Sequence, residues 1–207
     1  MMRRRLAVSM CVIGFALPTL ARHGTQQAVN HDLDGWAVAP FTLTDQYGRA
    51  FTEAHLRGRW TFVLFGDTSD CATRCDAALA ALAALCQRIE RADAMKTTQV
   101  VFISLDPKRD TSARLRQYLS AYDTRFIGTT GTPEALRRLA DDMRAGTAAA
   151  STGTGTGTGT GTDGATQHNH GSLLLIGPDA TIRAEYLPPL DVLRLTASYM
   201  RMRRGSL

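Results

Sequence analysis

Phe62-Val63-Leu64-Phe65-Gly66-Asp67-Thr68-Ser69-Asp70-Cys71-Ala72-Thr73-Arg74-Cys75 reads as an apolar strand, a polar turn and the start of a helix. The helix continues as an alanine-rich run whose Leu79, Leu82, Leu85 and Ile89 make one apolar stripe. Cysteines at i and i+4 of a helix share a face, with Cα atoms roughly 6 Å apart, within the reach of a disulfide. The same two sulfurs can close on one soft metal ion as thiolates. The stretch therefore places a dithiol at a strand-to-helix corner, open to either chemistry. Backbone N–H groups at a helix start stabilise a thiolate; Arg74 adds to that effect, whereas Asp70 and Asp76 oppose it.

Outward from this corner the chain keeps an α/β order. Residues 40–44 and 49–52 form a hairpin around the turn Asp45-Gln46-Tyr47-Gly48. The run 60–65 is continuously apolar, as in a central strand covered on both faces. A second buried strand, 99–104, ends in Asp106-Pro107-Lys108-Arg109-Asp110-Thr111. There Asp110 or Thr111 is expected to cap a helix over 112–121, with Asp106 fixing the turn. A brief extended segment follows at 125–127. Thr132-Pro133 then opens a helix to about Met143. The strands 172–176 and 181–186 turn at Gly177-Pro178-Asp179-Ala180, and a last helix spans 189–202. This order predicts a thioredoxin-like α/β fold: a central mixed β-sheet flanked by helices, with an N-terminal β-hairpin.

Residues 1–21 run from Arg3-Arg4-Arg5 through the apolar stretch 6–16 to Thr19-Leu20-Ala21. This is the pattern of a secretory signal peptide or, left uncleaved, of a membrane anchor. Residues 22–37 read as a polar linker, and 38–207 as the folded domain. Within it, 146–167 is a flexible loop dominated by Thr-Gly alternation, which buries nothing. The 207 residues carry a formal charge of +5; the three leader arginines leave +2 on the remainder. No basic stripe with interleaved aromatics is present, so nucleic acid is not an expected partner.

Of the four cysteines, Cys11 lies in the leader and Cys86 in an apolar helical run, where a buried thiol is expected. One remaining pair is too few for a disulfide scaffold. His23, His31 and His55 read as solvated or structural side chains. His168 and His170 stand just before a late apolar strand. Two thiolates and an imidazole make a soft site suited to Cu(I) and able to hold Cu(II).

The motifs resemble those of the Sco/SenC copper chaperones. They are Phe41-x-Leu43-x-Asp45-x-x-Gly48, Gly58-x-Trp60, Phe65-Gly66 and Cys71-x-x-x-Cys75. Ile103-Ser104-Leu105-Asp106-Pro107-x-Arg109-Asp110-Thr111, Phe126-Ile127-Gly128, Thr130-Gly131-Thr132-Pro133 and Ile176-Gly177-Pro178-Asp179 follow in order. The resemblance implies a thioredoxin fold. It makes Cys71 and Cys75 a redox-active dithiol and copper ligands, with His170, or His168 as the alternative, completing the site. It also implies a bacterial periplasmic protein that delivers copper to, or reduces the thiols of, the CuA-bearing subunit during cytochrome c oxidase assembly, with other periplasmic copper or thiol proteins as the alternative partners. Any contact with the membrane would be through the N-terminal segment. The rival expectation is a periplasmic thiol-disulfide oxidoreductase using the same cysteines without metal. A peroxidase is disfavoured, because the Pro-x-x-x-Thr-x-x-Cys approach is absent ahead of Cys71. The chain departs from the family pattern Thr-His-Cys-Pro-x-x-Cys-Pro in placing Ala72 and Asp76 where the two prolines stand.

Overall fold

The structure, a computed structural model, describes residues 29–69, 72–151 and 172–205. Eight strands form one sheet: β1 (Val29–Ala37), β2 (Thr42–Asp45), β3 (Ala50–Thr52), β4 (Trp60–Gly66), β5 (Thr98–Ser104), β6 (Ile127–Thr130), β7 (Leu173–Ile176) and β8 (Thr181–Tyr186). Their spatial order is β1-β8-β7-β4-β5-β6-β2-β3. Strands β4, β5 and β6 run parallel, and the remaining neighbours pair antiparallel, so the sheet is mixed. The helices are α1 (Ala72–Glu90), α2 (Ser112–Ser120), α3 (Pro133–Ser151) and α4 (Val192–Gly205).

The unbroken apolar character of β4 has a direct cause. Successive side chains alternate between faces, and each face carries its own core. Phe62 and Leu64 point into a core built with α1, α2 and α4, through Leu79, Leu82, Leu119 and Tyr199. Val63 points the other way, toward Leu136, Leu139 and Met143 of α3 and toward Phe51 of the hairpin. At the hairpin turn, Gly48 takes φ +80°, a conformation open to glycine. The Asp45 carboxylate accepts the Tyr47 and Arg49 amides there at 2.8 and 2.9 Å. These bonds hold the Asp45 carboxyl below its usual range, against the opposing effect of burial.

Three boundaries differ from the sequence reading. Residues 29–37, read there as part of a linker, form β1 against the outer edge of β8. Asn30, His31, Asp32 and Asp34 interrupt the apolar pattern that marks a strand, and main-chain pairing leaves no signal in a hydrophobic pattern. Helix α3 runs on to Ser151, through part of the expected loop; Thr147 turns its hydroxyl onto the Arg144 carbonyl at 2.9 Å, and three alanines follow. Helix α4 begins at Val192, where Asp191 caps it by accepting the Leu193 and Arg194 amides at 2.8 and 3.1 Å. Residues 1–28 and 152–171, with the leader and the Thr-Gly tract, lie outside the described residues. Among the described residues no helix is long and apolar enough to cross a membrane.

Candidate functional site: the corner after β4

Strand β4 delivers Gly66 to the sheet end at which α1 starts, and the turn between them is tied down residue by residue. Asp67 accepts the Ser69 amide at 2.9 Å and its hydroxyl at 3.1 Å, folding the chain back on itself. Thr68 donates its amide (3.1 Å) and its hydroxyl (2.5 Å) to the two carboxylate oxygens of Asp110. Asp110 has no exposed surface and also accepts the Ser104 hydroxyl at 2.7 Å. Arg114 completes this knot, donating Nε to the Thr68 hydroxyl at 2.5 Å and standing 3.7 Å from Asp110. Arg109 reaches the Ser69 hydroxyl at 2.9 Å while paired with Asp106 at 3.0 Å. A buried carboxylate is stable only when its oxygens are satisfied. Here the donors come from both flanking turns, which locks the corner to the segment between β5 and α2.

On the far side of the corner, Cys75 has no exposed surface and is disulfide-bonded. Its partner sulfur lies outside the described residues, as do Cys71, His168 and His170. Asp76 follows immediately. One of its oxygens, Oδ1, accepts both the Tyr118 and the Tyr122 hydroxyls, each at 2.6 Å. The tyrosine rings meet edge to face at 5.7 Å, and Tyr118 also lies against Phe102 at 5.8 Å. Burial, then the bond to Asp76, pushes both phenols up, Tyr122 to about 12. Both therefore stay protonated donors at neutral pH.

The other candidates resolve simply. Cys86 is a buried free thiol pushed up to about 12 by burial, so it is inert as a nucleophile. His55 is structural: its ring stacks on Phe51 at 5.1 Å, and Nδ1 accepts the Thr52 amide at 3.0 Å. Thr111 caps α2 by accepting the Arg114 amide at 3.3 Å, and Asp106 accepts the Arg109 amide at 3.3 Å in the turn. Asp110 is thus a buried tie rather than a cap. Among the described residues no three His, Cys, Asp or Glu side chains are grouped to hold a metal. Sequence reasoning missed Thr68, Ser104, Tyr118 and Tyr122. Ser104 and Asp110 stand in a quoted motif, but the tyrosines had only their helical spacing of four to mark them.

Fold and corner together define a class, a thioredoxin-like domain with a disulfide at the start of the first long helix. The comparisons specify it further. The SCO1/SenC family model matches residues 31–201, and the chain belongs to that family. It is 34% identical over 156 residues to a protein of Stutzerimonas stutzeri named for copper binding, covering 75% of this chain and 72% of that one. It is 36% identical over 105 residues to the mitochondrial protein SCO1 homolog 1 of Arabidopsis thaliana, covering 51% of this chain but only 31% of that relative. The crystal structure of Arabidopsis thaliana ScoI with copper bound superimposes with a TM-score of 0.64 at 26% identity, over 82% of this chain and 99% of that one.

Proposed function

We propose that this chain is an exported copper-binding protein that serves cytochrome c oxidase assembly, delivering copper to, or reducing the thiols of, the CuA-bearing subunit. The observation that carries the reading is the buried disulfide of Cys75 at the β4–α1 corner, in a family with a copper-bound member. Cys71 is the partner sulfur in this reading; reduced, the two thiolates and His170, or His168, hold the ion. Register supports the histidine: β7 begins with Leu173 opposite Leu64, so the chain following His170 joins the sheet beside the end of β4. Thiolate and imidazole donors favour Cu(I) and tolerate Cu(II). When the two thiolates reduce a recipient disulfide by exchange, two electrons pass to that disulfide, which becomes two thiols, and the new Cys71–Cys75 disulfide removes two of the three donors, which couples copper release to redox state. The leader with Arg3, Arg4 and Arg5 supports export to the periplasm, with any membrane attachment through that segment.

Copper titration of the reduced protein tests this. One equivalent is expected to bind, with Cys71→Ser or Cys75→Ser weakening binding at least a hundredfold and His168→Ala/His170→Ala weakening it at least tenfold. Undiminished binding by either cysteine variant refutes the reading. A second reading, metal-free thiol-disulfide exchange, draws on the same disulfide. It requires activity that survives loss of both histidines.

A further inference from the structure

Asp76 stands directly after Cys75, and both described bonds to its carboxylate come from α2 and the residues just beyond it. Tyr118 lies in the last turn of α2, and Tyr122 follows one turn later. The two hydroxyls converge on the same oxygen, which is how one acceptor can fasten one helix to a neighbour at a single point. On the opposite side of the corner, Thr68 and Ser69 are fastened to Asp110, Arg109 and Arg114, just before and inside the same helix. Both flanks of the dithiol are therefore bound to one element.

We propose that the Asp76–Tyr118–Tyr122 clasp is a positioning device that stabilises the disulfide form and sets how readily Cys75 is reduced. This rests on the reading of Cys75 as half of the functional dithiol. A disulfide constrains its two sulfurs to bonding distance, so it needs the first turn of α1 held in one place. Separated thiols lack that constraint. Bonds that hold the turn thus favour the disulfide more than the dithiol. Both bonds are short, at 2.6 Å, so the carboxylate oxygen is held closely between the two hydroxyls.

The experiment equilibrates the copper-free protein with glutathione buffers. The protein disulfide and two glutathione thiols exchange for two protein thiols and one glutathione disulfide. The oxidised fraction is read by alkylation and mass. Tyr118→Phe/Tyr122→Phe is expected to shift the equilibrium at least tenfold toward the dithiol, about 30 mV for this two-electron couple. Asp76→Ala should shift it equally, and combining all three should add nothing further. Asp76→Asn keeps an acceptor oxygen and should remain within about threefold of the parent. Tyr122→Phe alone, which deletes one hydroxyl of a partly exposed ring, should give about a threefold shift and keeps the test decisive if the double variant does not fold. Additive shifts, no shift with the tyrosine variants, or an Asn variant as displaced as Ala each overturn the clasp. Copper stoichiometry of the same variants is read separately. A parent that binds no copper refutes the copper reading and leaves these shifts standing; intact copper binding with unmoved equilibria refutes the clasp alone.

Discussion

Cys86 and Tyr186 show how single buried groups set the response to alkali. Neither has exposed surface, and burial pushes each up to about 12, from 9.0 for the thiol and 10.0 for the phenol. The unfolded chain therefore loses these protons first. Above pH 9 it binds fewer protons than the folded one, and stability falls as pH rises. Stability is full below pH 9 and erodes through about pH 12. Urea unfolding midpoints at pH 8, 9, 10 and 11 are expected to decline steadily, and Cys86→Ala should flatten the first part of that decline. The same burial keeps Cys86 unreactive toward a thiol probe until the protein unfolds. This residue was legible in sequence, since a cysteine inside an apolar helical stripe has only the core to occupy. Asp110 was legible only as a turn residue. Its burial, and its choice of Thr68 and Ser104 over the helix end, depend on a partner 42 positions away.

At the scale of elements, α2 matters most, because both sides of the dithiol corner are tied to it. Its seat on the sheet is set by Gly128 in β6. A Cβ at this position would lie 2.7 Å from Leu119 Cδ1 and 3.0 Å from Leu115 Cβ, closer than side-chain atoms settle. Gly128→Ala is therefore expected to push α2 outward and to cost about 1–3 kcal/mol. The readouts are the urea midpoint and, through the clasp, an easier reduction of the Cys75 disulfide. A midpoint equal to the parent's would mean that α2 is not seated by this contact. Strand β4 and helix α1 were readable from hydrophobic pattern, because each satisfies a period by itself. The docking of α2 on β6 was not, since a glycine in an extended segment looks the same whether or not a helix lies across it.

Across the whole molecule, β1 closes one edge of the sheet. Its pairing with β8, from Val29 opposite Tyr186 to Ala37 opposite Thr181, covers a row of main-chain groups that are otherwise free to pair with another chain. A variant lacking residues 1–37 is expected to melt several degrees lower. It should also self-associate through the bared β8, measurable by sedimentation. A monomer of unchanged melting temperature would show that β1 contributes nothing to the sheet. The same register places the start of β1, the end of β8, the start of β7 and the end of β4 at one end of the sheet. The chain segments before Val29 and before Ser172 therefore join the fold at the end that carries the dithiol corner.

The sequence by itself determined the order of strands and helices from β2 onward, the two-sided burial of β4 and the cysteine spacing at the corner. Each of these is a local pattern: a period of 2 or 3.6, a turn, or a separation of four. It also marked Asp76 as an unusual residue without indicating its use. Only the tertiary structure decided that β1 pairs with β8, that Asp110 ties two turns together and that Tyr118 and Tyr122 meet on Asp76. Those outcomes depend on groups brought together from 42 to 157 positions apart, as the bonds of Thr68 to Asp110 and the pairing of Val29 with Tyr186 mark out. Sequence periodicity carries no information about partners at such separations; the packing of helices on a twisted sheet does.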